Sequence, residues 1–331
     1  MKYKSVPTMP DLSFSTVGFG CWGISGGDVW NGTTDAESIR TVKKAVELGI
    51  NLFDVAPVYG LGHAEKMLGQ ALKGRRHEVI IASKCGLIWD EAKKIKRNLK
   101  KVSLMQEIDD SLRRLQTDYI DIYQMHWPDP ETLEEESMEV LETIKASGKI
   151  RYIGVTNFSL ERTKRCMSAG TITSHQGLYN LLEHNPTHYH NIPLEYRTAD
   201  EVLHFCAENG LAFFPYSPLF QGLLTEAFKP AGNFDENDAR AENPNLNGNT
   251  FDTYFTIATE IHNLSAKIGQ PLNQLAINWL VNQDAVTSVI SGGQTVEHVT
   301  QNAAATSWDL TNDVVVLIEQ ILAPYQVSGL V

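Results

Sequence analysis

Thr34–Asp54 reads TDAESIRTVKKAVELGINLFD. Thr34 and Glu37 form the S/T-x-x-E pattern in which a hydroxyl and a carboxylate satisfy free amide groups at a helix start. Ile39, Val42 and Val46 then mark one face of a helix. Gly49 ends it, because glycine takes positive φ at little cost. Ile50–Phe53 follows as a short apolar run of the kind a buried strand shows. Helix, glycine and strand are thus written in one stretch.

The same grammar recurs along the chain. Ser103-x-x-Gln106 opens a helix expected to run to Leu115, before a strand at Tyr119–Met125. Thr132-x-x-Glu135 opens one that ends at Gly148, before Ile150–Val155. Thr198-x-x-Glu201 opens one that ends at Gly210, before Leu211–Pro215. Thr16–Phe19, Val79–Ser83, Ser174–Leu178 and Val286–Ile290 complete a set of eight strands. Strands separated by helices pair in parallel, because each helix supplies the crossover. Eight such units predict an α/β chain closed into a (β/α)8 TIM barrel. Three segments stand outside the repeat: a hairpin within residues 1–15, a long polar loop at 217–250 after strand seven, and an extra carboxy-terminal helix over Asn312–Ala323. No linker divides the chain, so residues 1–331 are expected to form a single domain.

Composition narrows the classes. The chain has 331 residues and 42% hydrophobic content, enough for one large barrel, and its 21% charged fraction is that of a globular protein. A net charge of -12 opposes nucleic acid and anionic membrane surfaces. The densest basic stretch, KKIKRNLKK at Lys93–Lys101, reads as a solvated loop and helix start. Cys21, Cys85, Cys166 and Cys206 stand apart, with no C-x-x-C pair, which suits a reducing cytoplasm and predicts no structural metal. The first residues lack an apolar signal core, and no apolar run is long enough to span a membrane.

In a barrel the active site lies at the carboxy-terminal ends of the strands. Strand two runs into Asp54 and Tyr59, strand three ends in Lys84 and strand four in His126. Strand five runs into Thr156 and Asn157, strand six carries Gln176, strand seven ends in Tyr216 and Ser217, and strand eight runs into Ser291, Gly292 and Gly293. Each has a plain reading: a lysine ending a strand is commonly solvated, and a lone histidine is more often a structural hydrogen-bonder. Together, at one mouth, they suit hydride delivery to a carbonyl, whose oxygen needs a proton donor and preorganised hydrogen bonds as it gains charge. A free tyrosine is too weak an acid for easy exchange near neutrality. Lys84 is expected to lower the Tyr59 pKa, and Asp54 to pair with the buried ammonium. A Schiff base at Lys84 is the rival chemistry, and an ion pair with Asp54 disfavours it by raising the lysine pKa.

The set Asp54, Tyr59, Lys84 and His126, in DVAPVYG, SK and QMHWPD, resembles the catalytic tetrad of the aldo-keto reductases. Further matches are GFGCWG at 18–23, GKIRYIGVTNFS, PYSPLFQGLL and QNAAA at 301–305, so the resemblance covers nearly the whole chain. It is nearest to the bacterial general-reductase branch and the potassium-channel β subunits. It implies Tyr59 as general acid, with His126 orienting the substrate oxygen. It implies that Thr156, Asn157 and Gln176 hold a nicotinamide carboxamide and that Tyr216 stacks on its ring. Ser217, Leu219, Gly222 and Leu223 would line the pyrophosphate, with Gly20, Cys21, Trp22, Asp54, Pro218, Gly292 and Asn302 also among the cofactor contacts. Trp22, Trp30, Tyr59, His126 and Trp127 would wall the substrate pocket. The implied substrate is a small aldehyde, ketone or sugar-like alcohol. The alternative the resemblance carries is a non-catalytic, cofactor-sensing subunit of a channel.

The chain departs from that family after strand eight. Where relatives place an arginine for the 2′-phosphate of NADP(H), this chain has Gln294, and a further basic position holds His298. Glutamine offers a dianionic phosphate only neutral hydrogen bonds. NAD(H) or NADP(H) is therefore expected, with NAD(H) slightly favoured. Two motifs are decoys. Gly18-x-Gly20-x-x-Gly23 matches a dinucleotide fingerprint but leads into a loop, not a helix. His184, His188 and His190 cluster in sequence but lie in a loop with only Glu183 nearby, and are expected to be solvated.

Overall fold

A computed structural model of the chain describes residues 1–26, 33–228, 234 and 239–327. Its core is a sheet of eight parallel strands: β3 (Val17–Gly20), β4 (Leu52–Asp54), β5 (Ile80–Cys85), β8 (Ile120–Met125), β9 (Ile150–Thr156), β10 (Ile172–Leu178), β13 (Ala212–Tyr216) and β14 (Val289–Gly292). They run in the spatial order β13-β10-β9-β8-β5-β4-β3-β14. The ring closes where Phe213 bridges Val286 and the Thr287 amide donates to the Phe213 carbonyl at 2.9 Å. The eighth strand thus begins three residues later than expected: Val286 and Thr287 close the ring against Phe213, and the regular pairing with β3 starts at Val289.

An antiparallel hairpin, β1 (Tyr3–Val6) and β2 (Met9–Ser15), precedes the barrel and plugs its floor. Met9, Leu12 and Phe14 pack with the inward-facing Leu52, Ile80, Ala82, Ile122, Ala212, Phe214 and Ile290. The outward-facing Phe19, Phe53, Ile81, Ile153 and Phe213 pack in a separate, larger cluster with the surrounding helices. This is the period-two alternation of a strand covered on both sides.

The helices are α1 (Asp35–Glu47), α2 (His63–Ala71), α3 (Lys101–Leu115), α4 (Glu134–Ala146), α5 (Leu160–Ala169), α6 (Leu203–Asn209), α7 (Gly248–Ile268), α8 (Leu272–Val281), α9 (Val296–Ala304) and α10 (Asn312–Val327). No helix among the described residues is long and apolar enough to cross a membrane. Thr34 caps α1 as expected, accepting from the Glu37 amide at 3.2 Å. Gly49 follows at φ 85, and a Cβ there would come within 3.0 Å of the Tyr3 hydroxyl. The other three expected caps are not caps. The Ser103 hydroxyl donates to Glu107 inside α3, Thr132 donates to Asp129, and Thr198 donates to the Leu178 carbonyl at the start of a π-helical turn that leads into α6.

Two further hairpins lie outside the barrel: β6 (Leu87–Trp89) with β7 (Ile95–Arg97), and β11 (His188–Tyr189) with β12 (Ile192–Pro193). The first uses part of the basic stretch at Lys93–Lys101. The second replaces the expected plain loop after strand six. The polar segment expected at 217–250 contains short 3-10 turns at Phe220–Gly222, Ala239–Glu242 and Pro244–Leu246 and gives way to α7 at Gly248, before its expected end. The last helix runs four residues beyond the expected Ala323.

Candidate active site

Asp54 and Lys84 enter the lumen because they continue the inward rows of their strands, Leu52–Asp54 and Ile80–Ala82–Lys84. Lys84 is 0% exposed. An ammonium there is costly unless paired and hydrogen-bonded. Lys84 Nζ meets both Asp54 oxygens, Oδ1 at 2.7 Å and Oδ2 at 2.8 Å, and the Val55 carbonyl at 3.2 Å. Gln176 Nε2 donates to Asp54 Oδ1 at 2.8 Å, so the carboxylate is held from a second strand.

Tyr59 stands in the turn after β4, with its hydroxyl 3.3 Å from Lys84 Nζ. Gly60, at φ 60, fixes that turn: a Cβ there would fall 1.9 Å from the Ser25 carbonyl oxygen, so only glycine lets the two backbones pack. The His126 ring meets the Tyr59 ring edge-on, with centroids 6.0 Å apart at 81°. The structure therefore brings Asp54, Tyr59, Lys84 and His126 together at one mouth.

The electrostatics differ from the sequence expectation in one respect. Burial, then the Asp54 carboxylate and Cys21, push the Tyr59 phenol well above its ordinary range, where a lowered value was expected. Burial is the chief reason, because it penalises the phenolate, and Lys84, paired with Asp54, offers no lone cation to offset it. Burial, together with the Lys84 charge, holds His126 well below the usual imidazole range. At neutral pH the site presents a protonated phenol beside a neutral imidazole.

The remaining expected residues sit around this centre. Asn157 takes φ 62; its Oδ1 accepts from Tyr216 at 2.8 Å and Tyr196 at 3.1 Å, and its Nδ2 donates to the His126 carbonyl at 3.2 Å. Tyr196 is a buried contributor that lies outside the strand-and-helix repeat, and the sequence reading did not find it. Ser217, Phe220 and Gln221 also take positive φ, as does Gly222 at φ 102, whose vacant side meets, among the described residues, only Arg240 and Phe228 atoms at 4.0 Å. Leu219 and Leu223 pack inward from this turn, and Pro218 is buried. Gly20 and Cys21 are buried where β3 passes into a 3-10 turn, which also carries Trp22; no helix starts there, so these glycines are loop backbone. Trp127 is buried with the Arg97 guanidinium over its ring. Trp30 lies outside the described residues.

On the far side, Gly292 is exposed and its carbonyl accepts from Asn302 Nδ2 at 3.0 Å. The Gln294 amide faces His298 Nδ1 at 3.3 Å. Thr156 Oγ1, Ser291 Oγ and Gln294 Nε2 are buried with no partner among the described residues. Buried polar atoms of this kind are rare and call for a partner. Together with the open side of Gly222, they give the mouth the uncommitted donors and backbone access that a dinucleotide with a neutral amide and a pyrophosphate requires.

The histidine cluster does not converge. His184 stacks on Trp279 with centroids 5.1 Å apart, half-buried where a solvated side chain was expected. His188 meets Thr187, and His190 lies 2.7 Å from Gln221 Nε2. Among the described residues no group of three His, Cys, Asp or Glu side chains is placed to hold a metal ion.

A family model described as the aldo/keto reductase family matches residues 16–323. The aldo-keto reductase YhdN of Bacillus subtilis (strain 168) is 32% identical over 316 residues, covering 95% of this chain and 91% of the relative. The NADH-specific methylglyoxal reductase of Escherichia coli (strain K12) is 32% identical over 328 residues, covering 93% and 95%. The solved structure of the glycerol dehydrogenase AKR11B4 from Gluconobacter oxydans superposes with a TM-score of 0.85 at 31% identity, covering 97% of this chain and 95% of that one.

Proposed function

The chain belongs to the aldo/keto reductase family, and we propose that it moves a hydride between a nicotinamide cofactor and a small aldehyde, ketone or sugar-like alcohol, with Tyr59 as general acid and base. The observation that carries this reading is the Tyr59 hydroxyl 3.3 Å from the Lys84 ammonium, which is itself locked to Asp54. When bound, the reduced nicotinamide supplies the hydride. Tyr59, protonated because its surroundings penalise the phenolate, gives its proton to the oxygen that gains charge. Lys84 donates to the phenolate oxygen this leaves, and Asp54 keeps the ammonium in place. His126, neutral, donates a hydrogen bond to the substrate oxygen without competing as an acid. Thr156, Asn157 and Gln176 would hold the carboxamide, Tyr216 would stack on the ring, and Ser217, Leu219, Gly222 and Leu223 would line the pyrophosphate. Trp22 and Trp127 would wall the substrate.

For the cofactor, NAD(H) is slightly favoured over NADP(H). Gln294 turns its amide nitrogen inward, and His298 is the basic residue on the first turn of α9. The amide of Val296 at that helix start faces the Glu37 carboxylate at 3.5 Å, and Arg40 is paired with the same carboxylate. The name of the Escherichia coli relative points the same way. We place the protein in the cytoplasm, since its four cysteines are all free and buried. The test is a panel of short aldehydes, sugars and polyols with NADH, NADPH and their oxidised forms at pH 6 and 8. Turnover of a small carbonyl, with kcat/KM for NADH at least equal to that for NADPH at pH 8, is the expected result. A strong NADPH preference at pH 8 overturns the cofactor reading, and no nicotinamide-dependent turnover overturns the function.

A further inference from the structure

Glu183 lies in the connection 179–197, which is long for the link between a barrel strand and its helix. It is 4% exposed, and among the described residues no cation pairs with it. A buried acid in that position is costly and calls for a reason. Its partners supply one. Glu183 Oε2 accepts from Asn180 Nδ2 at 2.7 Å, and Oε1 accepts from Asn245 Nδ2 at 3.0 Å. Asn180 Nδ2 also donates to the Ser217 carbonyl at 3.2 Å, the first residue after β13. Asn245 sits in the 3-10 turn capped by Asn243, and Asn243 Nδ2 reaches Gln221 Oε1 at 3.0 Å. The carboxylate is therefore the hub where the start and the return of the segment after β13 meet.

That segment needs a hub. Ser217, Phe220 and Gln221 take φ of 54, 47 and 52, a left-handed backbone that non-glycine residues hold only when their surroundings over-determine it. We propose that Glu183 is a positioning residue: by gripping Asn180 and Asn245 it fixes the Ser217–Gly222 turn against the returning Asn243–Asn247 segment, and so preforms the surface on which the dinucleotide lies. The inference rests on the cofactor reading above for that last step alone.

The charge state of Glu183 gives a readout that simple packing would not. Burial pushes its carboxyl up to about 7, while the two asparagine amides pull it down. The groups that share its surroundings are Tyr189, Tyr196, Tyr216 and Tyr254, with His188 and His190 lining the same small pocket and His184 next in sequence. For an acid whose pKa is raised on folding, the favourable contribution is complete below the unfolded value and is lost as pH rises through the folded one. Protection of the segment is therefore expected to decline from pH 5 to pH 8.

The experiment combines hydrogen exchange over peptides spanning 217–228 and 239–247 with NADH binding by fluorescence, in the full chain. Glu183→Leu is expected to speed exchange in both peptides and raise the NADH Kd about tenfold, a usual size for breaking a coupled polar network, with kcat within about twofold. Glu183→Gln keeps both contacts once one asparagine amide turns over; it is expected to bind NADH like the wild type at pH 7 and to lose the pH dependence of exchange. Unchanged exchange and Kd in Glu183→Leu overturn the proposal, as does a pH dependence that persists in Glu183→Gln. If Glu183→Leu does not fold, Asn245→Ala decides: faster exchange with a roughly threefold higher Kd supports the hub, and no change in either refutes it. A wild-type chain that binds neither NADH nor NADPH defeats the cofactor reading, while the exchange data still judge the anchor.

Discussion

At the floor of the barrel, Leu52 and Ile80 face Met9, Leu12 and Phe14; two residues further along β4 stands Asp54, and four further along β5 stands Lys84. The same strands thus build an apolar plug at one end of the lumen and a buried ion pair at the other. At the floor, shape and area decide, and a hydrophobic residue of similar volume would serve. At the mouth, the Lys84–Asp54 pair is weak evidence for stability, since burying both charges costs about as much as their attraction returns. Its value is in what it holds 3.3 Å away, the Tyr59 hydroxyl. The lumen separates stability from chemistry by depth, and substitutions at the two ends should fail differently.

The largest effect is expected at the mouth. Tyr59→Phe removes the proton donor and leaves the ring, so steady-state assays should show kcat lower by a factor of about 10² to 10⁴, with nicotinamide affinity and thermal midpoint nearly unchanged. A variant with near-wild-type kcat would remove Tyr59 from the chemistry and erase the contrast.

The next pair of substitutions tests the contrast on a common scale. Phe14 is 0% exposed and packs against Phe214 with centroids 5.6 Å apart. Phe14→Ala should lower unfolding free energy by about 3–5 kcal/mol, while kcat of the folded fraction stays at the wild-type value well below the midpoint. Lys84→Met should cost a similar amount, about 3–5 kcal/mol, because it strands a buried carboxylate, and should cut kcat as well. Adding Asp54→Asn should recover much of the stability and none of the rate. Denaturant unfolding and kinetics on the three variants check this. A double variant no more stable than Lys84→Met would show that the pair is structural in the same sense as the floor.

How far the sequence could be read follows the same division. The barrel was legible because its signals are local and periodic: Thr34 and Gly49 bracket α1, and inward residues recur at every second position of the strands. The convergence of Asp54, Tyr59, Lys84 and His126 was legible because strand ends have a fixed place in such a barrel. The cap signals of Ser103, Thr132 and Thr198 misled because other partners claim those hydroxyls: Glu107 one turn on in α3, Asp129 three residues back, and the Leu178 carbonyl on β10. The direction of the Tyr59 shift was misjudged because a sequence lists charges without showing how deeply packing buries the phenol. Glu183 escaped notice as an anchor because Asn245 lies 62 residues away in an irregular segment, where no period announces a contact.

The smallest effect separates floor and mouth by pH. Burial holds His126 well below its usual range, so the folded chain binds no proton there at pH values where the unfolded chain does. With the folded pKa lowered, stability is intact above about pH 6.5 and is lost as pH falls below that unfolded value. The limit is about 1.4 kcal/mol per pH unit, so His126 contributes up to roughly 2 kcal/mol between pH 6.5 and 5. The whole-protein slope does not isolate it. His175 and His184, both lowered to about 4, act in the same direction, while Glu107 and Glu183, both raised to about 7, act in the opposite one. The difference between wild type and His126→Gln does isolate it, because the other four groups are common to both. Denaturant unfolding at pH 6.5 and 5 should show that the variant loses less stability than the wild type across the interval. The Phe14→Ala variant, tested alongside, should keep the wild-type slope. Equal slopes for His126→Gln and wild type would mean that the imidazole is already solvated in the free enzyme, and that the mouth is wetter than its geometry indicates.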